Sequence, residues 1–438
     1  MTTTLETAAK PQLLLTRRAG RIADELERAA VDGWLIYDFR GSNPAFGRLL
    51  ASAGHSTRRA FLFIPRQGEP KLLMHHVDAG NFARLGIDVQ PFSGREDMLE
   101  RLRELLGSAR RVLMEYSPGN AIPYVSRVDA GTLELVRSLG IDIVSSADAL
   151  ASVVAAWDAA DVQSHQRAAQ ALERSKDGLF SAIHSRLALG ATWTEYDAQQ
   201  HLVSLMEAEG LEFDHPPIVA VGPHAGDPHY APTPELALPI ESGALVLVDL
   251  WAREKQRPDG GLGAYADITW MATAADRPSD EHLAVFDIVR SARDAAVQFI
   301  EQRVAAGEPV QGGEVDRVTR ATIDTAGYGA AFTHRTGHSL GWHGAHGDGV
   351  NIDDFETHDT RLLRPGAAFS IEPGIYVRDF GVRSEINVVI TPGGQVRVTT
   401  PPQRALGAAD LVGLCLAKHV HSGTLCANDT PPRGGQVR

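Results

Sequence analysis

Four acidic residues stand inside otherwise apolar, strand-like runs: Asp249 in LVLVDL, Asp267 in YADITW, Glu372 in FSIEPG and Glu385 in RSEINVVI. Side chains alternate between the two faces of a strand. Asp249 therefore shares a face with Leu245 and Leu247, Asp267 with Tyr265 and Thr269, and Glu385 with Asn387. A buried carboxylate without a partner is costly. Any one of these four is readily explained by an arginine partner or a solvated face. For four in one region, with few strand-borne Lys or Arg to pair them, hard divalent cations held by carboxylate oxygens are the economical alternative. The segment THRTGHSLGWHGAHGDG (333–349) adds His334, His338, His343 and His346 among glycines. Glycine lets backbone approach a site closely, and imidazole suits manganese, cobalt, zinc or iron. His358 lies in a polar stretch and receives no role.

These residues need a scaffold, and the chain supplies two textures. Residues 12–158 alternate short apolar strands, WLIYDF (34–39), AFLFI (60–64), KLLM (71–74) and RVLMEY (111–116), with helical stretches such as Met98 to Leu106. That alternation predicts an α/β domain with a mostly parallel or mixed sheet. From 159 to 402 the pattern becomes α+β. Helices are expected over Ala160–Leu187, Thr194–Glu209, Glu281–Ala306 and Glu314–Ala326, and Gly210, Gly307 and Gly327 are the stop signals of the last three. Strands are expected over 216–222, 243–252, 264–272, 367–377, 383–392 and 395–400. Residues 403–438 read as a Gly/Pro/Thr-rich tail. GLGAYA (261–266) fits a GxGxxA dinucleotide fingerprint, but no helix follows it, so that reading fails.

Composition narrows the function classes. With Lys+Arg 42 against Asp+Glu 55 in 438 residues, the net charge of −13 disfavours a nucleic-acid or anionic-membrane surface. The only cysteines are Cys415 and Cys426, which excludes a disulfide framework or thiolate metal site in the body of the chain. No apolar run approaches the roughly 20 residues of a membrane helix, and no signal peptide is visible in MTTTLETAAK. Together these features set the expectation of a cytoplasmic protein.

The order Asp, Asp, His, Glu, Glu in the contexts VDLWA, ADITW, TGHSLG, SIEPGIY and GVRSE resembles the pita-bread metallopeptidases. The preceding α/β segment resembles the N-terminal domain of their prolidase, aminopeptidase P and creatinase branch; methionine aminopeptidases lack it. The resemblance implies an α+β fold with a pita-bread catalytic domain and a creatinase-type N-terminal domain. It makes Asp249, Asp267, His338, Glu372 and Glu385 the ligands of two divalent metal ions, manganese first, with cobalt, zinc or iron as alternatives. Asp267 and Glu385 would bridge the ions, and a hydroxide between them would attack the peptide carbonyl. By the same resemblance His229, in VGPHAGDPHY, contacts substrate, and His346 hydrogen-bonds the substrate carbonyl or the tetrahedral intermediate. His224 and His343 compete for these roles. Glu372 would shuttle a proton to the leaving amine, and Arg383 would orient a substrate carboxylate or form a structural salt bridge. Two departures stand out. Seventeen residues separate Asp249 from Asp267, more than the family's usual spacing, with the extra 253–261 stretch read as a longer hairpin whose tip could shape the substrate pocket. The His338 to His346 interval is also one residue longer than usual.

The reading that follows is a dinuclear metallo-exopeptidase cleaving Xaa-Pro bonds in small peptides, as aminopeptidase or dipeptidase, and working as a homodimer. A pita-bread C–N hydrolase or lyase acting on a small non-peptide compound is the alternative. A binding module that has lost catalysis would show eroded ligands, and all five are present.

Overall fold

The computed structural model describes residues 13–51, 56–228, 230–274 and 277–407. The N-terminal part forms a six-stranded mixed sheet in the order Asp88–Phe92, Lys71–His75, Arg59–Pro65, Gly33–Phe39, Arg111–Met114, Asp142–Ser145. The four apolar runs read from the sequence are strands here. Asp88–Phe92 and Asp142–Ser145 escape a hydropathy reading because their polar residues face solvent at the sheet's edges. One sheet face packs Trp34, Ile36 and Leu62 against helices, the other Leu35, Phe61 and Leu73.

Glu115 is fully buried beside this sheet. Its carboxylate accepts hydrogen bonds from Trp34 Nε1 (2.7 Å), Asn43 Nδ2 (2.8 Å) and Ser146 Oγ (3.1 Å). Burial outweighs those three bonds and pushes its pKa up to about 7. The folded state therefore binds this proton more tightly than the unfolded chain. Its stabilising effect is complete below the ordinary carboxylate range and is lost as pH rises to about 7. In thermal melts from pH 5 to 8, Glu115→Gln should show a flatter decline in Tm than wild type; parallel profiles would contradict this.

The second part begins where Asp158 and Asp161 form a capping box at the start of the helix Ala159–Ala188. The helix Glu195–Ala208 follows, and Gly210 turns out of it at φ +73°, a conformation glycine adopts without penalty. Both helices cover a sheet in which Leu245–Glu254 pairs with Ala266–Thr273, Ile218–Val221 and Leu211–Glu212. The helices Asp280–Ala305 and Gly312–Thr325 pack beside the remaining strands.

Two strands expected from the sequence are broken. Residues 367–377 split into Ala368–Ile371 and Gly374–Tyr376, which belong to different sheets. Residues 383–392 likewise split, with Gly381–Arg383 pairing Gly374–Tyr376 and Ile386–Ile390 pairing Ala368–Ile371. Pro373 lacks an N–H for a continuous ladder, and the breaks leave Glu372 and Glu385 at strand ends. Among the described residues no helix is long and apolar enough to cross a membrane. Cys415 and Cys426 lie outside the described residues.

Candidate metal centre

Strand register brings the two aspartates together. Leu245–Glu254 and Ala266–Thr273 run antiparallel with Asp249 opposite Thr269 and Trp251 opposite Asp267, so Asp249, Thr269 and Asp267 share one face. Asn387 fixes Asp267 through both backbone groups: Asp267 N donates to Asn387 Oδ1 (2.9 Å) and Asn387 Nδ2 donates to the Asp267 carbonyl (2.7 Å). His338 is held against the strand that ends at Glu372. Its N–H donates to Ser370 Oγ (2.9 Å), and its carbonyl accepts from Ser370 N (2.8 Å). Gly337 permits this contact, because a Cβ there would lie 2.1 Å from the Ser370 carbonyl oxygen.

The His338 ring hydrogen-bonds the Ser339 carbonyl through Nδ1 (3.0 Å), which directs Nε2 at Asp267 Oδ2 (3.4 Å) and Glu372 Oε1 (3.5 Å). Donating through one ring nitrogen frees the other as a metal ligand. Ligand atoms of Asp267, His338 and Glu385 all lie within 4.8 Å of one another, and all three residues are buried. Glu385 Oε2 accepts from Thr269 Oγ1 (2.9 Å), while Oε1 is buried with no hydrogen-bond partner among the described residues. An orphaned buried carboxylate oxygen beside a second carboxylate and a directed imidazole is a donor set that fits a divalent cation.

The electrostatics agree with crowded negative charge. Burial, then Asp267, Glu372 and Asp249, raise Glu385 well above the carboxylate range. Burial also raises Asp267, and lifts Asp249 to about 7 in spite of Arg383. Burial opposes a charged His338, yet Asp267 and Glu372 keep it above its ordinary value. Glu372 is the exception. Burial works against its charge, but the positive charges of His338 and Arg383 hold it low.

Arg383, the strand-borne cation that sequence reasoning underweighted, pairs with Asp249 through Nη2. Its Nε donates to Thr269 Oγ1 (3.0 Å) and its Nη1 to Tyr376 OH (3.1 Å). Tyr376 OH in turn lies 2.7 Å from His334 Nε2. The contacts to Asp249, Thr269 and Tyr376 use three of the five guanidinium N–H donors, and Arg383 also borders the cavity beside the site. His334, Tyr376 and Thr269 carry the site's hydrogen-bond network but received no role from the sequence. The four-residue interval from His334 to His338 and the tyrosine in EPGIY were the available signals.

Asp249, Asp267, His338, His346, Glu372, Arg383 and Glu385 all line one cavity of about 880 Å³. The His346 ring sits 4.0 Å, centroid to centroid, from that of His338. His343 faces a different pocket, and His224 Nδ1 is bound to buried Glu195 (2.8 Å). His229 lies outside the described residues. None of residues 253–262 lines this cavity, so the long hairpin does not shape it as expected; Arg257 carries the loop to Asp161 at the start of the Ala159–Ala188 helix instead.

Comparison with known proteins settles the family. A profile of metallopeptidase family M24 matches residues 163–392, more than half of the chain. The chain belongs to metallopeptidase family M24. Among M24 relatives, the Xaa-Pro dipeptidase of Lactobacillus helveticus is 35% identical over 181 residues, 40% of this chain and 42% of that protein. A probable dipeptidase PepE of Mycobacterium tuberculosis is 26% identical over 358 residues, 80% of this chain and 85% of that protein. The chain spans half or less of the length of the curated relatives it matches at 33% and 35% identity. In three dimensions it resembles the crystal structure of dipeptidase PepE from Mycobacterium ulcerans, with TM-score 0.65 and 24% identity over 90% of this chain and 98% of that one. The fold is accordingly the α+β pita-bread architecture, preceded by its α/β segment.

Proposed function

We propose that this M24 protein is a metal-dependent exopeptidase that hydrolyses Xaa-Pro bonds in short peptides, dipeptides first. The observation that carries the reading is the convergence of Asp267, His338 and orphaned Glu385 within 4.8 Å in the wall of a cavity large enough for a peptide. Asp249 and Glu372 complete the set, and the four carboxylates offset the charge of two divalent cations. Such cations, once bound, supply Lewis acidity toward a carbonyl and lower the pKa of water. The proline preference is supported by the names of relatives, among them the Lactobacillus Xaa-Pro dipeptidase.

The chain's own groups then divide the remaining work. Glu372, held ionised by neighbouring positive charge, accepts a proton and returns it to the leaving nitrogen. His346 donates a hydrogen bond to the carbonyl oxygen, where charge develops. Arg383 stays on Asp249 and Thr269, fixing the orientation of that face.

Recognition of a dipeptide's free carboxylate falls to Arg335 on the cavity wall. Its Nη1 donates to Tyr124 OH (2.8 Å), Glu356 lies 4.0 Å away, and further N–H donors stay available to a carboxylate. Arg335→Ala should raise KM for an Xaa-Pro dipeptide on the order of tenfold or more, with a smaller effect on an Xaa-Pro-Yaa tripeptide. Steady-state kinetics on both substrates test this, and equal effects would remove Arg335 from carboxylate recognition. Hydrolysis of Xaa-Pro dipeptides, with Xaa-Ala dipeptides as control, tests the wider reading. Failure to cleave either by the metal-loaded protein would favour a small non-peptide amide as substrate.

A further inference from the structure

The long hairpin between Asp249 and Asp267 builds something other than the catalytic cavity. Its turn closes where Arg257 N donates to the Gly261 carbonyl (2.8 Å), which sets Arg257 and Leu262 on the wall of a second cavity, of about 210 Å³. That volume is several times a water molecule's share of liquid volume, about 30 Å³. The N-terminal part contributes Arg17, Arg18 and Arg48 to its lining, and Trp342 lines it as well. Four arginines and two aspartates, Asp158 and Asp161, line it, and a third aspartate, Asp259, pairs with Arg257 from the loop, leaving the arginines in excess.

Two of the arginines are already paired: Arg17 with Asp158 (2.6 Å) and Arg257 with Asp161 and Asp259. The other two are not. Arg48 places its guanidinium over the Trp342 ring, 3.9 Å from the centroid, and makes no hydrogen bond or ion pair among the described residues. Arg18 donates to the Ala156 carbonyl (2.9 Å), but its Nε is buried with no acceptor. Desolvated guanidinium donors without acceptors are costly, and a stacked guanidinium presents its N–H fork edge-on to an anion. The field is felt nearby. Burial and then the charge of Arg48 hold His343 below its ordinary value.

We propose that this cavity is a binding site for a doubly charged oxyanion of the phosphate class, gripped by Arg48 and Arg18 with Trp342 and Leu262 as its apolar walls. Two unpaired guanidiniums match two negative charges, and the apolar walls leave room for a short organic group. Free phosphate and a phosphate monoester share this chemistry.

Calorimetric titration of the full-length protein, treated with chelator so that no metal competes for phosphate, tests the site. Inorganic phosphate and propyl phosphate serve as probes. Both should bind saturably: equal affinities identify free phosphate as the ligand, and tighter binding of propyl phosphate identifies a monoester. Arg48→Met should weaken binding on the order of tenfold or more. Leu262 is 40% exposed, so Leu262→Glu leaves folding intact while setting a carboxylate at the mouth, and should weaken binding comparably. The proposal fails if wild type binds neither probe, or if Leu262→Glu binds both as wild type does.

Discussion

Replacing Asp267 with alanine is expected to abolish metal retention and peptide hydrolysis together. Asp267 is the carboxylate nearest His338 Nε2, at 3.4 Å, and belongs to the group that converges within 4.8 Å. Removing an outer hydrogen-bond partner of a metal ligand costs roughly 10–100-fold in affinity or activity, and removing a ligand itself should cost more. The same substitution should not harm the metal-free fold. Asp267 raises Glu385 by repulsion, so its loss relieves crowding of buried negative charge. Metal analysis after dialysis, peptide hydrolysis and melting in chelator should therefore show little metal, no turnover and a Tm no lower than that of metal-free wild type. Retained activity would mean that the ligands are wrongly assigned. A large drop in the metal-free Tm would mean that the carboxylate is structural.

The second large effect is expected from a residue with no chemistry of its own. Gly337→Ala puts a methyl group 2.1 Å from the Ser370 carbonyl oxygen and 3.1 Å from Ser370 Oγ, the atom that holds the His338 N–H. The Gly337 backbone also exchanges hydrogen bonds with Ile352 (3.1 and 3.0 Å), so the segment has no free side on which to yield. Overpacking of this kind costs roughly 1–3 kcal/mol, and a shift of about 1 Å at a reacting group can cost roughly 100-fold in rate. The variant should fold with a lowered Tm, bind metal weakly and lose activity by about that factor. Wild-type kcat and metal affinity in Gly337→Ala would show that the close approach to Ser370 does not position His338.

The polar residues in apolar strands were the legible part of this site. A carboxylate at Asp249 or Asp267 violates the local pattern, and such violations concentrate where function demands them. Strand alternation also gave the shared face of Asp267 and Thr269, which the register confirms. The breaks at Glu372–Pro373 and Ser384–Glu385 were harder to read. Apolar residues flank both, and although Pro373 marks the first, only tertiary pairing reveals that the flanking strands join different sheets. Arg383 was seen, but its commitment to Asp249 depends on the meeting of strands 134 residues apart in sequence. The edge strands Asp88–Phe92 and Asp142–Ser145 were invisible because half-exposed strands carry too little apolar signal. The hairpin at 253–261 was recognised as an extension, whereas its destination beside Asp161 and Arg48 rests on contacts no spacing encodes.

The central claim is that these five side chains hold two divalent cations on which hydrolysis depends. It is tested most directly by titrating manganese into chelator-stripped protein while measuring, in the same samples, bound metal and proline released from an Xaa-Pro dipeptide. Activity should be absent without metal and reach its plateau at two ions per chain. Full occupancy without release of proline, or release that is indifferent to added metal, would contradict it.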